Sequence, residues 1–128
     1  MSNLLLDTCA FIWLAEGGGE LSKEAILQIN ESRFVYTSAI TAWEISLLCS
    51  KDQLKLPMVP EEWFQQIIKS QDIQVINVTP EIAFLSNNLP RHHKDPADRF
   101  IIATAISHNL AIVTTDKKFE EYPLVVIN

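Results

Sequence analysis

The chain has 128 residues, of which 48% are hydrophobic and 20% are charged. This composition excludes a disordered chain, and the length suits one hydrophobic core, so we expect residues 1–128 to form a single domain. The formal net charge of −6 argues mildly against a nucleic-acid partner, because phosphate binding normally depends on an excess of Lys and Arg.

Strand-like and helix-like segments alternate along the chain. Apolar, β-rich runs predict five strands, at about residues 3–6, 33–37, 73–78, 110–114 and 124–127. Helix-length segments lie between them, at about residues 8–15, 23–31, 39–50, 61–70, 81–88 and from residue 96 onward. Strands that alternate with helices predict an α/β domain whose central, mostly parallel sheet is covered by helices.

Capping residues mark where several of these helices begin. Ser22 can cap the helix at 23–31, and Pro60 and Pro80 can open the helices at 61–70 and 81–88. Asp95-Pro96 fits an N-cap followed by proline at the first helical position. The Gly17-Gly18-Gly19 segment is typical of a loop between two helices.

Asp7 is the first candidate functional residue, because it directly follows the apolar strand that ends at Leu6. In a parallel sheet, ligands bind outside the carboxyl ends of the strands. Taken alone, Asp7 is as well explained as the N-cap of the following helix.

Glu44 is the only charge in the apolar helix 39–49. It shares a helix face with Ile40, Trp43, Leu47 and Leu48. Its carboxylate should therefore point toward the interior or into a cleft, where it needs a cation. A salt bridge to Lys or Arg, or a solvated position, is the structural alternative.

Asp98 and Asp116 complete the set. Asp98 shares a face of the last long helix with Ile101, Ile102 and Ala105, so its side chain should point inward. A favourable interaction with the helix dipole is the structural alternative for this acid. Asp116 follows the strand that begins at Leu110, which repeats the geometry of Asp7. We interpret Asp95 chiefly as the N-cap of its helix.

Four carboxylates at strand ends and in an apolar helix can converge on one rim of the sheet. An all-oxygen cluster suits Mg²⁺ or Mn²⁺ and is a poor zinc site. Such a site lowers the pKa of a water and neutralises charge on phosphate oxygens, which predicts phosphodiester hydrolysis. The hypothesis is that one or two Mg²⁺ ions are held by Asp7, Glu44, Asp98 and Asp116.

Other polar residues border these acids. The hydroxyls of Thr8, Ser38 and Thr114 are candidates to hold a metal-bound water or a phosphate, although they also suit ordinary caps. Arg99 and the 91–94 cluster place positive charge near the acids and are candidates for contact with an RNA backbone. His92-His93 with Asp95 could indicate a His-containing metal site, but an exposed loop before a helix explains them equally well, so we interpret the two histidines as a solvated loop, with phosphate contact second.

Cysteines, tryptophans and the N-terminus carry the remaining expectations. Cys9 and Cys49 lie in apolar stretches, so we expect both to be buried and reduced. We expect the three tryptophans, Trp13, Trp43 and Trp63, to lie in the core and not to stack on bases.

The apolar run before Asp7 is too short for a signal peptide, and no stretch is long enough to span a membrane. We therefore expect a cytoplasmic protein.

These residues together resemble a known family. The Asp7-Thr8 strand end, Glu44 in its apolar helix, the segment from Asp95 to Ala105 and Thr114-Thr115-Asp116 are similar, in order and spacing, to the PIN domain and in particular to VapC-like toxins. The similarity runs from about Leu4 to Ile127, and its most specific part surrounds Asp98.

The resemblance implies a three-layer α/β/α fold and a metal-dependent endoribonuclease of a prokaryotic toxin–antitoxin pair. It also implies a homodimer and a cognate antitoxin whose C-terminal segment covers the acidic groove. Asp7, Glu44 and Asp98 match the family's core acids, and Asp116 matches a more variable fourth one.

Two other functions stay open at this point. A haloacid-dehalogenase-like phosphatase or a receiver domain also places Asp at a parallel strand end. The phosphatase, however, requires a second Asp two residues after the first, where this chain has Cys9. The receiver requires an acceptor Asp at the end of a middle strand, where this chain has Thr79-Pro80 after the third strand. The remaining alternative is a non-catalytic module whose acids bind a metal or a basic peptide.

Overall fold

A computed structural model describes residues 3–128. Its central element is a five-stranded sheet in the order β3-β2-β1-β4-β5, in which every neighbouring pair is parallel. The strands are β1 Asn3–Leu6, β2 Phe34–Ser38, β3 Ile73–Ile76, β4 Ala111–Val113 and β5 Val126–Ile127. The predicted α/β class and five-stranded sheet are confirmed.

Six α-helices and one 3₁₀-helix connect the strands. They are α1 Thr8–Ala15, α2 Lys23–Glu31, α3 Ala39–Ser50, α4 Pro60–Ser70, α5 Pro80–Asn88 and α6 Pro96–His108, with the 3₁₀-helix at Lys117–Glu121. The predicted caps are in place, since the Ser22 hydroxyl accepts a hydrogen bond from the Ala25 amide and prolines occupy the first positions of α4, α5 and α6.

Two apolar layers cover the sheet, one on each face. The alternation of side chains along β1 sends Leu4 and Leu6 to one face and Leu5 to the other. Helices α1, α2 and α4 pack on the first face, and α5 and α6 pack on the second. The predicted three-layer α/β/α architecture is therefore confirmed.

The turn between α1 and α2 depends on glycine at one position in particular. Gly19 has a φ of +50°, and a Cβ atom built there would lie 2.6 Å from Cδ1 of Trp13. A side chain at this position would therefore clash with the indole of Trp13, in the last turn of α1. Among residues 3–128, no helix is both long and apolar enough to cross a membrane.

Candidate active site

The sheet has a topological switch point between β1 and β4, where the chain changes the side of β1 on which it adds strands. The crossover that leaves β1 leads to β2 on one side of it, whereas β4 lies on its other side. Open parallel sheets bind ligands beside such a switch point, at the carboxyl ends of the strands. A cleft of about 300 Å³ opens there; its lining residues include Asp7, Thr8, Cys9, Glu44, Leu48, Asp95, Asp98 and Asp116. A cavity of about 330 Å³ at the other end of β4 is lined by no titratable side chain.

Asp7 lies at the point where β1 ends and α1 begins. Its side chain is only 6% exposed although it is a carboxyl group. Oδ1 accepts a hydrogen bond of 2.8 Å from the Ala10 amide, and Oδ2 accepts one of 2.5 Å from the Thr114 hydroxyl. Both oxygens are therefore fixed, so the N-cap role and the cleft position are compatible in one residue.

Glu44 reaches the cleft from α3. Its Oε1 accepts a short hydrogen bond from the Thr8 hydroxyl, which itself lies 3.1 Å from the hydroxyl of Thr41. The cleft position predicted for Glu44 is confirmed. The face predicted for its helix is wrong in part, because Thr41 and Ile45 are the buried residues of α3 whereas Trp43 is 54% exposed.

Asp95 and Asp98 come from the first turn of α6. Oδ1 of Asp95 accepts hydrogen bonds from the amides of Ala97, at 2.9 Å, and Asp98, at 3.4 Å. Asp95 is therefore the N-cap, as predicted, and it also lines the cleft. Asp98 projects into the cleft with 22% of its side chain exposed.

Asp116 approaches from the loop that follows β4. Its amide donates a hydrogen bond of 3.0 Å to the Thr114 hydroxyl, and its Oδ1 accepts one of the same length from the Lys118 amide. Thr114 thus contacts both Asp7 and Asp116. The structure brings all four predicted acids together on one cleft.

Burial and the neighbouring acids together change the pKa values of these carboxyl groups. Burial, reinforced by the neighbouring acids, raises the pKa of Asp98 to about 8. Burial also raises the pKa of Asp7 and of Glu44, although their hydrogen bonds oppose the rise. Burial alone would raise the pKa of Asp116, but hydrogen bonds from the Lys118 amide and from His93 lower it below its usual value. Within residues 3–128, the only basic side chain within salt-bridge distance of an acid is that of His93, whose Nε2 lies beside Asp98 and Asp116.

The favoured interpretation of a solvated loop is wrong for His93. It is 6% exposed, and its Nε2 lies 2.8 Å from Asp116 Oδ2 and 3.1 Å from Asp98 Oδ2. His92 is exposed, as expected. The HHxD spacing alone could not separate the two, because burial of His93 depends on Phe119 and Tyr122, far along the chain.

The expected RNA contact at Arg99 is also wrong. This side chain is 4% exposed, and its guanidinium donates hydrogen bonds to backbone carbonyl oxygens instead of facing the cleft. The five acceptors are the carbonyl oxygens of Ser86, Asn87, Leu89, Pro90 and His93. Arg99 therefore holds the segment that carries His93, from the end of α5 to α6.

Three further expectations need correction. Cys9 is exposed and Cys49 half-buried, so the expected burial of both thiols is wrong; both are free, as expected. Of the three tryptophans, only Trp63 is fully in the core. Ser38 is buried and its hydroxyl accepts a hydrogen bond of 3.1 Å from the Ile40 amide, so it caps α3 and does not line the cleft.

Comparison with known proteins agrees with this fold. The PIN domain family model matches residues 4–124. The chain belongs to this family. Ribonuclease VapC22 of Mycobacterium tuberculosis is 29% identical over 123 residues, which cover 95% of this chain and 93% of that protein.

Solved structures with the same fold align with almost the whole of this chain. VapBC2 of Rickettsia felis, bound to a DNA fragment from its promoter, gives a TM-score of 0.74 at 18% identity and covers 98% of both chains. A toxin–antitoxin complex from Klebsiella pneumoniae gives 0.67 at 24% identity and covers 98% of this chain and 96% of that one. At these identities the likeness establishes the fold, and the chemistry must come from the cleft.

Proposed function

We propose that this PIN domain is a metal-dependent endoribonuclease and the toxin of a toxin–antitoxin pair. The observation that carries the proposal is the convergence of Asp7, Glu44, Asp98 and Asp116, from separate elements, on one cleft. The similarity to ribonuclease VapC22 over nearly the whole chain supports RNA as the substrate.

The donor set of the cleft fits a hard divalent cation. Burial first, and the neighbouring acids second, raise the pKa of Asp7, Glu44 and Asp98, and no Lys or Arg among residues 3–128 forms a salt bridge with any of them. Oxygen ligands favour Mg²⁺, with Mn²⁺ as a substitute, over zinc. We infer that these three acids and Asp116 would hold the ion.

A bound divalent cation would supply a water of lowered pKa and would neutralise charge on the phosphate oxygens. The protein's contribution is to fix the carboxylates in advance. Asp7 is held by Ala10 and Thr114, and Glu44 is held by Thr8. Preorganised groups of this kind spare the reaction the cost of arranging them.

Positive charge beside the acids would guide the RNA backbone. Arg91 and Lys94 are exposed and line a cavity of about 250 Å³, which the buried Arg99 also lines. Lys94, in the lining of this cavity, immediately precedes Asp95, which lines the acidic cleft. We infer that Arg91 and Lys94 take the place of Arg99 as contacts for the phosphates next to the scissile one.

The partners of the chain follow from its relatives. Several structures of the same fold are toxin–antitoxin complexes, which supports a cognate antitoxin that covers the acidic cleft. Because the cleft is acidic, we expect the covering segment to carry Arg or Lys. We also expect a cytoplasmic homodimer, whose size in solution can be measured by light scattering.

The deciding experiment is an RNA cleavage assay on protein freed of any antitoxin. We expect cleavage with Mg²⁺ or Mn²⁺, none with EDTA, and none in the Asp7→Asn and Asp98→Asn variants. Asp72→Asn is the matched control, because Asp72 is exposed, precedes the amino end of β3 and has a φ of +55° that asparagine tolerates. Products should carry 5′-phosphates; 2′,3′-cyclic phosphates would exclude attack by water.

Intact RNA at every enzyme concentration, with Mn²⁺ binding retained, would instead support a non-catalytic module. All variants must first be shown to be folded by circular dichroism. Release of phosphate from a small phosphomonoester would favour the phosphatase alternative.

A further inference from the structure

His93 stands between two acids that come from different parts of the chain. Its Nε2 lies 2.8 Å from Asp116 Oδ2, which belongs to the loop after β4, and 3.1 Å from Asp98 Oδ2, which belongs to α6. The ring is almost completely buried, so water does not compete for these contacts. Two chemically different arrangements could produce these distances, and the other ring nitrogen distinguishes them.

That nitrogen, Nδ1, lies 3.2 Å from the backbone nitrogen of Asp95, which donates a hydrogen bond to it. A backbone N–H can only donate, so Nδ1 must offer a lone pair and carry no proton. The proton of the neutral ring then resides on Nε2, which faces Asp98 and Asp116. The ring thereby donates a hydrogen bond to Asp116 and places the same N–H within 3.1 Å of the Asp98 carboxyl group.

The position of the ring is determined by contacts outside the acidic cluster. The His93 amide donates a hydrogen bond of 2.8 Å to the Tyr122 hydroxyl, and its carbonyl oxygen accepts one of 2.9 Å from Arg99. The ring also packs edge-on against Phe119, at 5.5 Å between centroids and 88° between planes. The imidazole is therefore held in place whether or not the acids bind anything.

We propose that His93 is a positioning residue, whose Nε2–H donates to Asp116, lies against Asp98 and so orients the two acids for the metal without His93 itself being a ligand. Its role rests on the proposed function. The reason is geometric: one nitrogen accepts from the Asp95 amide and the other carries a proton, so neither has a lone pair to offer an ion.

Direct ligation is the competing arrangement. The nearest ligand atoms of His93, Asp98 and Asp116 all lie within 4.8 Å of one another, close enough to surround one ion. In that case Nε2 would need its lone pair, and the proton would move to Nδ1. That proton would face the Asp95 N–H, so the hydrogen bond between them would be broken.

The tautomer can be measured directly on the full chain. We expect nitrogen NMR of ¹⁵N-histidine-labelled, metal-free protein to show one ring with Nε2 protonated and Nδ1 unprotonated. The His93→Gln spectrum assigns that ring, since it should lack only this signal among the three histidines. A proton on Nδ1, alone or together with Nε2, would overturn the proposal.

Mn²⁺ affinity supplies the functional test, and is measured by electron paramagnetic resonance on wild type and three variants. His93→Ala should weaken Mn²⁺ binding about 10- to 100-fold, the usual effect of removing a group that orients a ligand. His93→Gln keeps an N–H donor and should recover most of that affinity. His108→Gln, at an exposed position in the last turn of α6, is the matched control.

The outcomes separate the two proposals. Failure of the wild type to bind Mn²⁺ would remove the metal site and this role with it. Wild-type binding with no weakening in His93→Ala, or equal weakening in His93→Ala and His93→Gln, would overturn the positioning role alone. A nitrogen coupling in the pulsed spectrum of bound Mn²⁺ that disappears in His93→Gln would show that His93 is a ligand.

Discussion

Thr114 donates a hydrogen bond of 2.5 Å to Oδ2 of Asp7, and this bond ties together the carboxyl ends of β1 and β4, which are 107 residues apart in sequence. The same hydroxyl accepts a bond from the amide of Asp116. One buried side chain therefore sets the relation between two of the four acids. Its removal should disturb both.

Substitution of Thr114 by valine tests this link. Valine keeps the shape but removes the hydroxyl, leaving Oδ2 of Asp7 and the Asp116 amide without their partner. We expect a decrease of about 1–3 kcal/mol in the free energy of unfolding, the usual cost of an unsatisfied buried group. Urea denaturation measures it. Thr114→Ser should retain most of the stability, and a stable valine variant would show that the hydroxyl is dispensable.

The fold and part of the site could be predicted from sequence because their signals are local. Apolar runs marked the strands, and Ser22 and Asp95 marked helix starts that the structure confirms. The 3₁₀-helix after Asp116 was not predicted. Its length of 5 residues leaves no periodic pattern to detect.

His93 and Arg99 could not be assigned from sequence for a different reason. Both belong to a charged segment, which is normally solvated, yet both are buried by partners far away in the chain. Arg99 is compatible with burial because carbonyl oxygens of the 86–93 segment fold around its guanidinium. Such tertiary contacts override the local preference of a charged side chain for water.

Arg99 should act on stability and not on RNA binding. Lysine at this position keeps the charge but cannot donate five hydrogen bonds in a planar fork. Because the carbonyl groups of the 86–93 segment would be left without their donors, we expect Arg99→Lys to lower the free energy of unfolding by at least about 2 kcal/mol. Thermal and urea unfolding check this. A variant as stable as wild type would contradict the structural role.

The stability of the metal-free protein should fall as pH rises. The pKa of Asp98 is raised to about 8 in the folded state, from an ordinary value of 3.8, and Asp7 and Glu44 shift in the same direction. The folded state thus holds more protons than the unfolded state between these values, so the free energy of unfolding decreases from about pH 4 to about pH 8.

Unfolding in EDTA across this range measures the slope. Asp98→Asn should flatten it and should be more stable than wild type at about pH 8, because the amide never ionises. Asp72→Asn is again the control and should leave the slope unchanged. A wild-type stability that rises through this range would contradict the pKa assignments.

Binding of a divalent cation should release a proton from Asp98. At about pH 7 this carboxyl is mostly protonated in the metal-free protein, and an ion requires the carboxylate. Calorimetry with Mn²⁺ in buffers of different ionisation enthalpy measures the released protons. The apparent affinity should also rise with pH up to about 8. Binding without proton release would place the ion away from Asp98.

Arg91 and Lys94 should contribute to RNA affinity without affecting the fold, because both are exposed and Lys94 directly precedes Asp95 of the acidic cleft. Removing one cationic side chain that binds a phosphate should reduce the slope of log affinity against log salt by about 0.7 to 1. The Arg91→Ala, Lys94→Ala double variant is compared in an Asp7→Asn background, which prevents cleavage during the titration. Lys51 and Lys69, which are also exposed, are both changed to alanine as the matched control. Equal salt slopes in the two double variants would mean that RNA follows another path to the cleft.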